Sequence, residues 1–265
     1  MAVTAAEVDR IRARLGAAGV GGALRVEPAG PGRALVRAVG ADDTTAEHLV
    51  AALRADGWSA ATRPDGGGHL RAWRDNTRPV DVSGRLSVCF PRSEIDRSIS
   101  PPTVEIDPGR AFGTGAHPST RLLLTALAAR LRGGEQVLDV GCGSGVLALA
   151  AARLGAWATA VDIEPEALLV TAANAARNRL GGRVEVRATG LVGLAGPFDA
   201  IVANIGAAVL VELAPRLRAL LAPSGWLGVS GISPAQTAVV AAALQPLQVA
   251  QTSRDDDWEA LVVVS

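Results

Sequence analysis

The chain has 265 residues, enough for one large domain and a small one, with 49% hydrophobic and 20% charged residues and a formal net charge of zero. That balance supplies no electrostatic footprint for nucleic acid or an acidic membrane, so RNA is disfavoured as a direct substrate. No apolar run approaches the roughly 20 residues that cross a bilayer and no signal-peptide pattern opens the chain, so a cytoplasmic protein without membrane contact is expected.

In chain order, residues 1–63 read as a small α+β domain. Residues 4–15 are helical, with Thr4 as N-cap and Glu7 as its capping-box partner. Residues 23–26 and 33–39 read as short strands around a turn at 28–32. Residues 44–55 form a second amphipathic helix and 58–62 a further strand. The order αββαβ is ferredoxin-like with its first strand missing. The glycines at 66–68 mark a hinge over residues 64–72, and residues 73–265 are expected to form the second domain.

Strands are expected at 86–90 and 103–107. They lead into a run, residues 107–120, that is a loop by composition and precedes a helix over 120–131. A glycine-rich loop entering a helix N-terminus points backbone N–H groups at whatever sits there. Next comes the densest signal in the chain. The apolar run 137–140 has the bulk of a buried parallel strand, Gly141, Gly143 and Gly145 form a loop, and alanine and leucine continue at helical spacing over 146–154. The following apolar run, 158–161, ends in Asp162, about 20 residues after the first glycine, where α/β nucleotide folds place a carboxylate for the ribose hydroxyls. Residues 198–203 form the fourth sheet strand, with Asn204 at its carboxyl end and a helix starting near Ala207.

Glycine spacing separates cofactor classes. A pyrophosphate on a helix N-terminus calls for G-x-G-x-x-G; here the third glycine falls one residue early, which makes an NAD-dependent dehydrogenase the least favoured reading. The G-x-G-x-G loop resembles motif I of the class I S-adenosylmethionine methyltransferases. The resemblance then narrows. Residues 107–120 resemble the D-P-G-x-A-F-G-T-G-x-H-x-x-T signature of the PrmA family, which methylates the eleventh protein of the large ribosomal subunit, and the likeness continues through 137–150, 161–165, 202–205, 230–232 and 258–261. It implies a Rossmann-like, seven-stranded α/β class I methyltransferase domain preceded by a small α+β substrate-recognition domain. It implies S-adenosyl-L-methionine as cofactor and a ribosomal protein as partner. Carried over position by position, it assigns cofactor contacts to Phe112, Thr120, Gly141, Gly143, Asp162, Ile163 and Asn204, with Asn204 also flanking the methyl-transfer site.

The residue inventory limits the chemistry. All 26 basic residues are arginine and tyrosine is absent, so the chain offers neither a Schiff-base lysine nor a phenolic acid or base. Two cysteines, Cys89 and Cys142, cannot make a zinc cluster by themselves and read as free thiols, so no metal is expected. As a site residue, Asn204 would accept a hydrogen bond from an incoming amine; its bland alternative is a turn residue capping the next helix. Related amino-methyltransferases carry N-P-P-Y or N-P-P-F there, with a ring that stacks on a planar group. This chain has Asn204-Ile205-Gly206-Ala207, which favours an aliphatic amine, α-amine or lysine side chain. His117 reads equally as a helix-entry residue or a contact. The family usually carries leucine at the positions of Gly206 and Ser233 and tryptophan at that of Arg92, so the reaction is more firmly implied than the target. The alternatives are another protein lysine, as in an electron-transfer flavoprotein subunit, a small-molecule amine, or a cofactor-binding regulatory module without turnover.

Overall fold

A computed structural model describes residues 25–28, 34–37, 79–91, 101–108 and 113–265. The chain divides into two units, Met1–Gly68 and His69–Ser265. In the first, β1 (Arg25–Pro28) and β2 (Ala34–Arg37) pair antiparallel, Arg25 opposite Arg37. The helices expected at 4–15 and 44–55, the strand at 58–62 and the hinge at 64–72 lie outside the described residues.

The second unit opens with a three-stranded sheet of β3 (Val80–Val82), β4 (Leu86–Cys89) and β5 (Thr103–Glu105). Helix α1 (Pro118–Arg130) follows, two residues ahead of the expected start because Pro118, with its φ already helical, occupies the first turn. Then come β6 (Gln136–Val140), α2 (Val146–Arg153), β7 (Trp157–Val161), α3 (Pro165–Arg177), β8 (Val184–Arg187), β9 (Phe198–Asn204), α4 (Ala207–Leu220) and β10 (Leu221–Ile232). A 3-10 turn (Pro234–Gln236), α5 (Thr237–Ala243), β11 (Gln248–Asp255) and β12 (Trp258–Val264) complete it.

The large sheet has seven strands in the order β11-β12-β10-β9-β6-β7-β8. The run from β10 to β8 is parallel, and β12 enters antiparallel between β10 and β11. This is the expected seven-stranded α/β architecture. Strand alternation distributes the core over both faces. Val137, Ala158, Ala160, Ala200 and Val202 pack with α1 and α2, whereas Leu138, Val140, Val161, Ile201 and Ala203 pack with α4. Helix α2 is buried at seven of its eight positions, which explains why its sequence is apolar all round rather than amphipathic. Sequence order reverses between β6 and β9, whose neighbours diverge to β7 and β10, and the crevice at such a switch point opens at the strands' carboxyl ends. No described helix is long and apolar enough to cross a membrane.

Candidate active site

Three segments converge on that crevice. The first is the glycine loop, residues 141–145, leaving β6 and entering α2. Gly141 N–H and Cys142 N–H both donate to Val161 O, at 2.9 and 3.0 Å, so the loop is pinned to the end of β7. Gly141 has φ +71°, and a Cβ there would stand 2.5 Å from Ile205 Cγ2. Only glycine admits both the backbone conformation and the close passage of the β9 loop.

Asp162 follows β7 directly. Its Oδ2 accepts Gly143 N–H at 2.9 Å and its Oδ1 accepts Glu164 N–H at 3.0 Å. The carboxylate thus stands beside the glycine loop with lone pairs to spare for further donors. Next to it, Ile163 is 90% exposed, an isolated aliphatic side chain on the crevice rim.

Asn204 ends β9 opposite Ser230 of β10. Its Nδ2 donates to Thr120 Oγ1 at 3.0 Å, a bond between residues 84 positions apart. The N-cap of α4 is Gly206, so Asn204 does not cap that helix. Gly231 presents backbone to the other end of the amide: a Cβ on it would lie 3.0 Å from Asn204 Oδ1 and 2.9 Å from Ile205 O. One N–H of the amide goes to Thr120, which fixes the orientation of the group, and Oδ1 is its accepting atom. Thr120 itself is 1% exposed, and its hydroxyl meets Asn204.

His117 is the N-cap of α1; its carbonyl accepts Thr120 N–H and Arg121 N–H, both at 3.0 Å. Its ring Nδ1 lies 2.8 Å from Ser119 Oγ and its edge meets Trp258 with centroids 5.0 Å apart. Phe112 lies outside the described residues.

Sequence reading passed over Asp139. It faces the α2 side of β6 and is 1% exposed. Its Oδ2 accepts Ala148 N–H in the first turn of α2 at 3.0 Å, while Oδ1 has no hydrogen-bond partner. Burial, with a smaller push from Asp162, raises its pKa to about 7, and the Ala148 N–H only partly offsets this. A carboxylate inside an otherwise apolar parallel strand was the available signal. Cys142 packs against Thr171, Sγ to Oγ1 3.4 Å, and burial pushes its thiol up to about 12, which keeps it protonated and inert. No group of three His, Cys, Asp or Glu able to hold a metal occurs among the described residues.

Comparison with known proteins decides the lineage. Residues 65–265 match the family described as Ribosomal protein L11 methyltransferase (PrmA). The chain belongs to the PrmA family. A relative of that same description from Geobacter sp. (strain M21) is 43% identical over 196 residues, covering 71% of this chain and 64% of that protein. One from Pelobacter propionicus is 38% identical over 222 residues, covering 81% and 68%. A solved ribosomal protein L11 methylase from Lactobacillus delbrueckii subsp. bulgaricus superposes with a TM-score of 0.64 at 30% identity, covering 70% of this chain and 97% of that one. The matched stretch thus spans just under two thirds of the Geobacter relative's length. In this PrmA member, Asp162 bonds to Gly143, Ile205 packs on Gly141, and Asn204 is tied to the buried Thr120, while Ile163 is exposed.

Proposed function

We propose that this protein transfers methyl groups from S-adenosyl-L-methionine to amino groups, α-amine or lysine side chain, of a large-subunit ribosomal protein. The observation that carries the chemistry is Asn204: a carboxamide fixed by Thr120 at the carboxyl end of β9, one strand from the glycine loop, with its oxygen left as the accepting end. The target is supported by family membership and by the relatives, which are ribosomal protein L11 methyltransferases.

The residues present fit the cofactor. The glycine turn at Gly141 has a positive φ that favours glycine and packs against Ile205, and the carboxylate of Asp162 stands beside it where two vicinal hydroxyls can be held. Beneath the loop, Asp139 keeps an unpartnered buried oxygen. Bound there, the cofactor supplies a methyl group already activated on a sulfonium. Asn204 Oδ1 accepts an N–H of the deprotonated amine and turns its lone pair toward that methyl. Water takes the ammonium proton beforehand, so no dedicated base is needed. Positioning two reactants for an in-line displacement supplies most of the required rate gain. The small domain expected over residues 1–63 delivers recognition of the protein target, and the domain expected over residues 73–265 holds the cofactor. The reaction belongs in the cytoplasm, where ribosomal proteins are made.

The test is direct. The purified chain is incubated with methyl-labelled S-adenosylmethionine and a lysate of its own host, and the labelled species are identified by mass spectrometry. Label on the amino groups of one large-subunit ribosomal protein is the expected result. Label on another protein or a metabolite overturns the target, and no label overturns the enzyme.

A further inference from the structure

Two asparagines of the α3 segment form a buried device that the reading above leaves unused. Asn174 lies in the last turns of α3 and Asn178 is its C-cap, 1% and 7% exposed. Four residues of helix rise about 6 Å and two residues of strand advance about 6.6 Å. Carboxamides at i and i+4 therefore meet backbone amides at alternate residues of an extended chain. Asn178 accepts Glu105 N–H at 2.8 Å and donates to Glu105 O at 2.6 Å. Asn174 does the same to Asp107, accepting its N–H at 3.1 Å and donating to its carbonyl at 2.9 Å. The pair replaces a fourth strand on the edge of β5 and its extension.

Asn174 goes one step further. Its Nδ2 also donates to Ser144 O, in the glycine loop, at 2.9 Å. Both donors and the acceptor of one carboxamide are thereby spent on two separate chain segments. Ser144 reinforces the link, since its hydroxyl donates to Gly113 O. Asp107 and the glycine loop are held together by a single buried side chain.

We infer that Asn174 is a positioning residue of the cofactor site, locking the glycine loop to the segment at Asp107 so that the crevice is formed before the ligand arrives. The inference rests on the glycine loop being the cofactor loop. Asn178 makes the same edge ladder without reaching the loop, its Nδ2 donating also to Asn174 O at 2.8 Å, so it is the control for the structural cost of losing the ladder.

The experiment compares the full chain with Asn174→Ala, Asn178→Ala and Asn174→Asp. The aspartate variant has the native shape, keeps an acceptor for Asp107 N–H and loses both donors. Hydrogen exchange of the ligand-free protein is followed across residues 142–146, and S-adenosylhomocysteine binding is measured by calorimetry. Both alanine variants should melt earlier by similar amounts. Only the two Asn174 variants should exchange faster at 142–146 and bind about tenfold more weakly, the scale of buried amide and carbonyl groups left unpaired. If Asn178→Ala loosens the loop and weakens binding equally, or if Asn174→Asp does neither, the positioning role is overturned. If the wild-type chain binds no S-adenosylhomocysteine, the cofactor reading falls and this role falls with it.

Discussion

Asp139→Asn isolates the electrostatic cost stored under the glycine loop. In the folded chain the carboxyl is buried with one oxygen unpartnered, and its pKa rises from 3.8 to about 7. The folded state therefore holds the proton more tightly than the unfolded chain. Stability is fully present below about pH 4, falls as pH rises through about 7, and is level above that. Three units correspond to about 4 kcal/mol in all, of which about 3 kcal/mol is lost between pH 5 and pH 8. Asparagine has the shape of the protonated acid and can still accept Ala148 N–H, but it cannot ionise. Urea unfolding of both proteins, followed by far-UV circular dichroism at pH 5, 6.5 and 8, gives the difference between them, in which the other titrating groups cancel. The variant should gain about 3 kcal/mol on the wild type across that range. A difference that does not change with pH, or that favours the wild type as pH rises, would mean that Asp139 is ionised in the fold, and the argument from burial would be wrong.

Asp162→Ala should weaken S-adenosylmethionine binding at least about tenfold in calorimetry, since charge-assisted hydrogen bonds contribute about 1.5 to 3 kcal/mol each. It should also lower apo stability by about 1 to 2 kcal/mol, because Gly143 N–H and Glu164 N–H lose their acceptors; unchanged affinity refutes the ribose role. Asn204→Ala should lower kcat about a hundredfold, with a smaller change in KM for the protein substrate, the pattern of a contact made in the transition state. Wild-type turnover with only a lower melting temperature would leave Asn204 a structural tie to Thr120. A chain beginning at Pro64 should bind the cofactor with wild-type affinity yet lose methylation of the protein target, while full activity would assign the small unit another job.

Local signals made the central crossover legible. The apolar run before Gly141, the three glycines and Asp162 at the end of β7 carry their structure in short-range terms: backbone sterics at a tight turn and apolar strands buried on both faces. The same holds for β9 and for Asn204 at its end, since an apolar strand closed by a polar residue marks a carboxyl edge. Beyond Asn204 periodicity gave less. β11 is exposed along most of its length and carries no alternation, so neither that strand nor the antiparallel entry of β12 beside β10 was visible. What each polar group does was decided by tertiary structure, because hydrogen-bond partners and burial come from residues distant in sequence. The alternative of Asn204 as a helix cap stayed open until the fold put the N-cap at Gly206 and brought Thr120 to an N–H of its amide. Asp139 and Asn174 looked like ordinary polar positions; packing α2 and α3 against the sheet removed water from both. The carboxylate was left short of a partner, and the carboxamide had every donor and acceptor engaged.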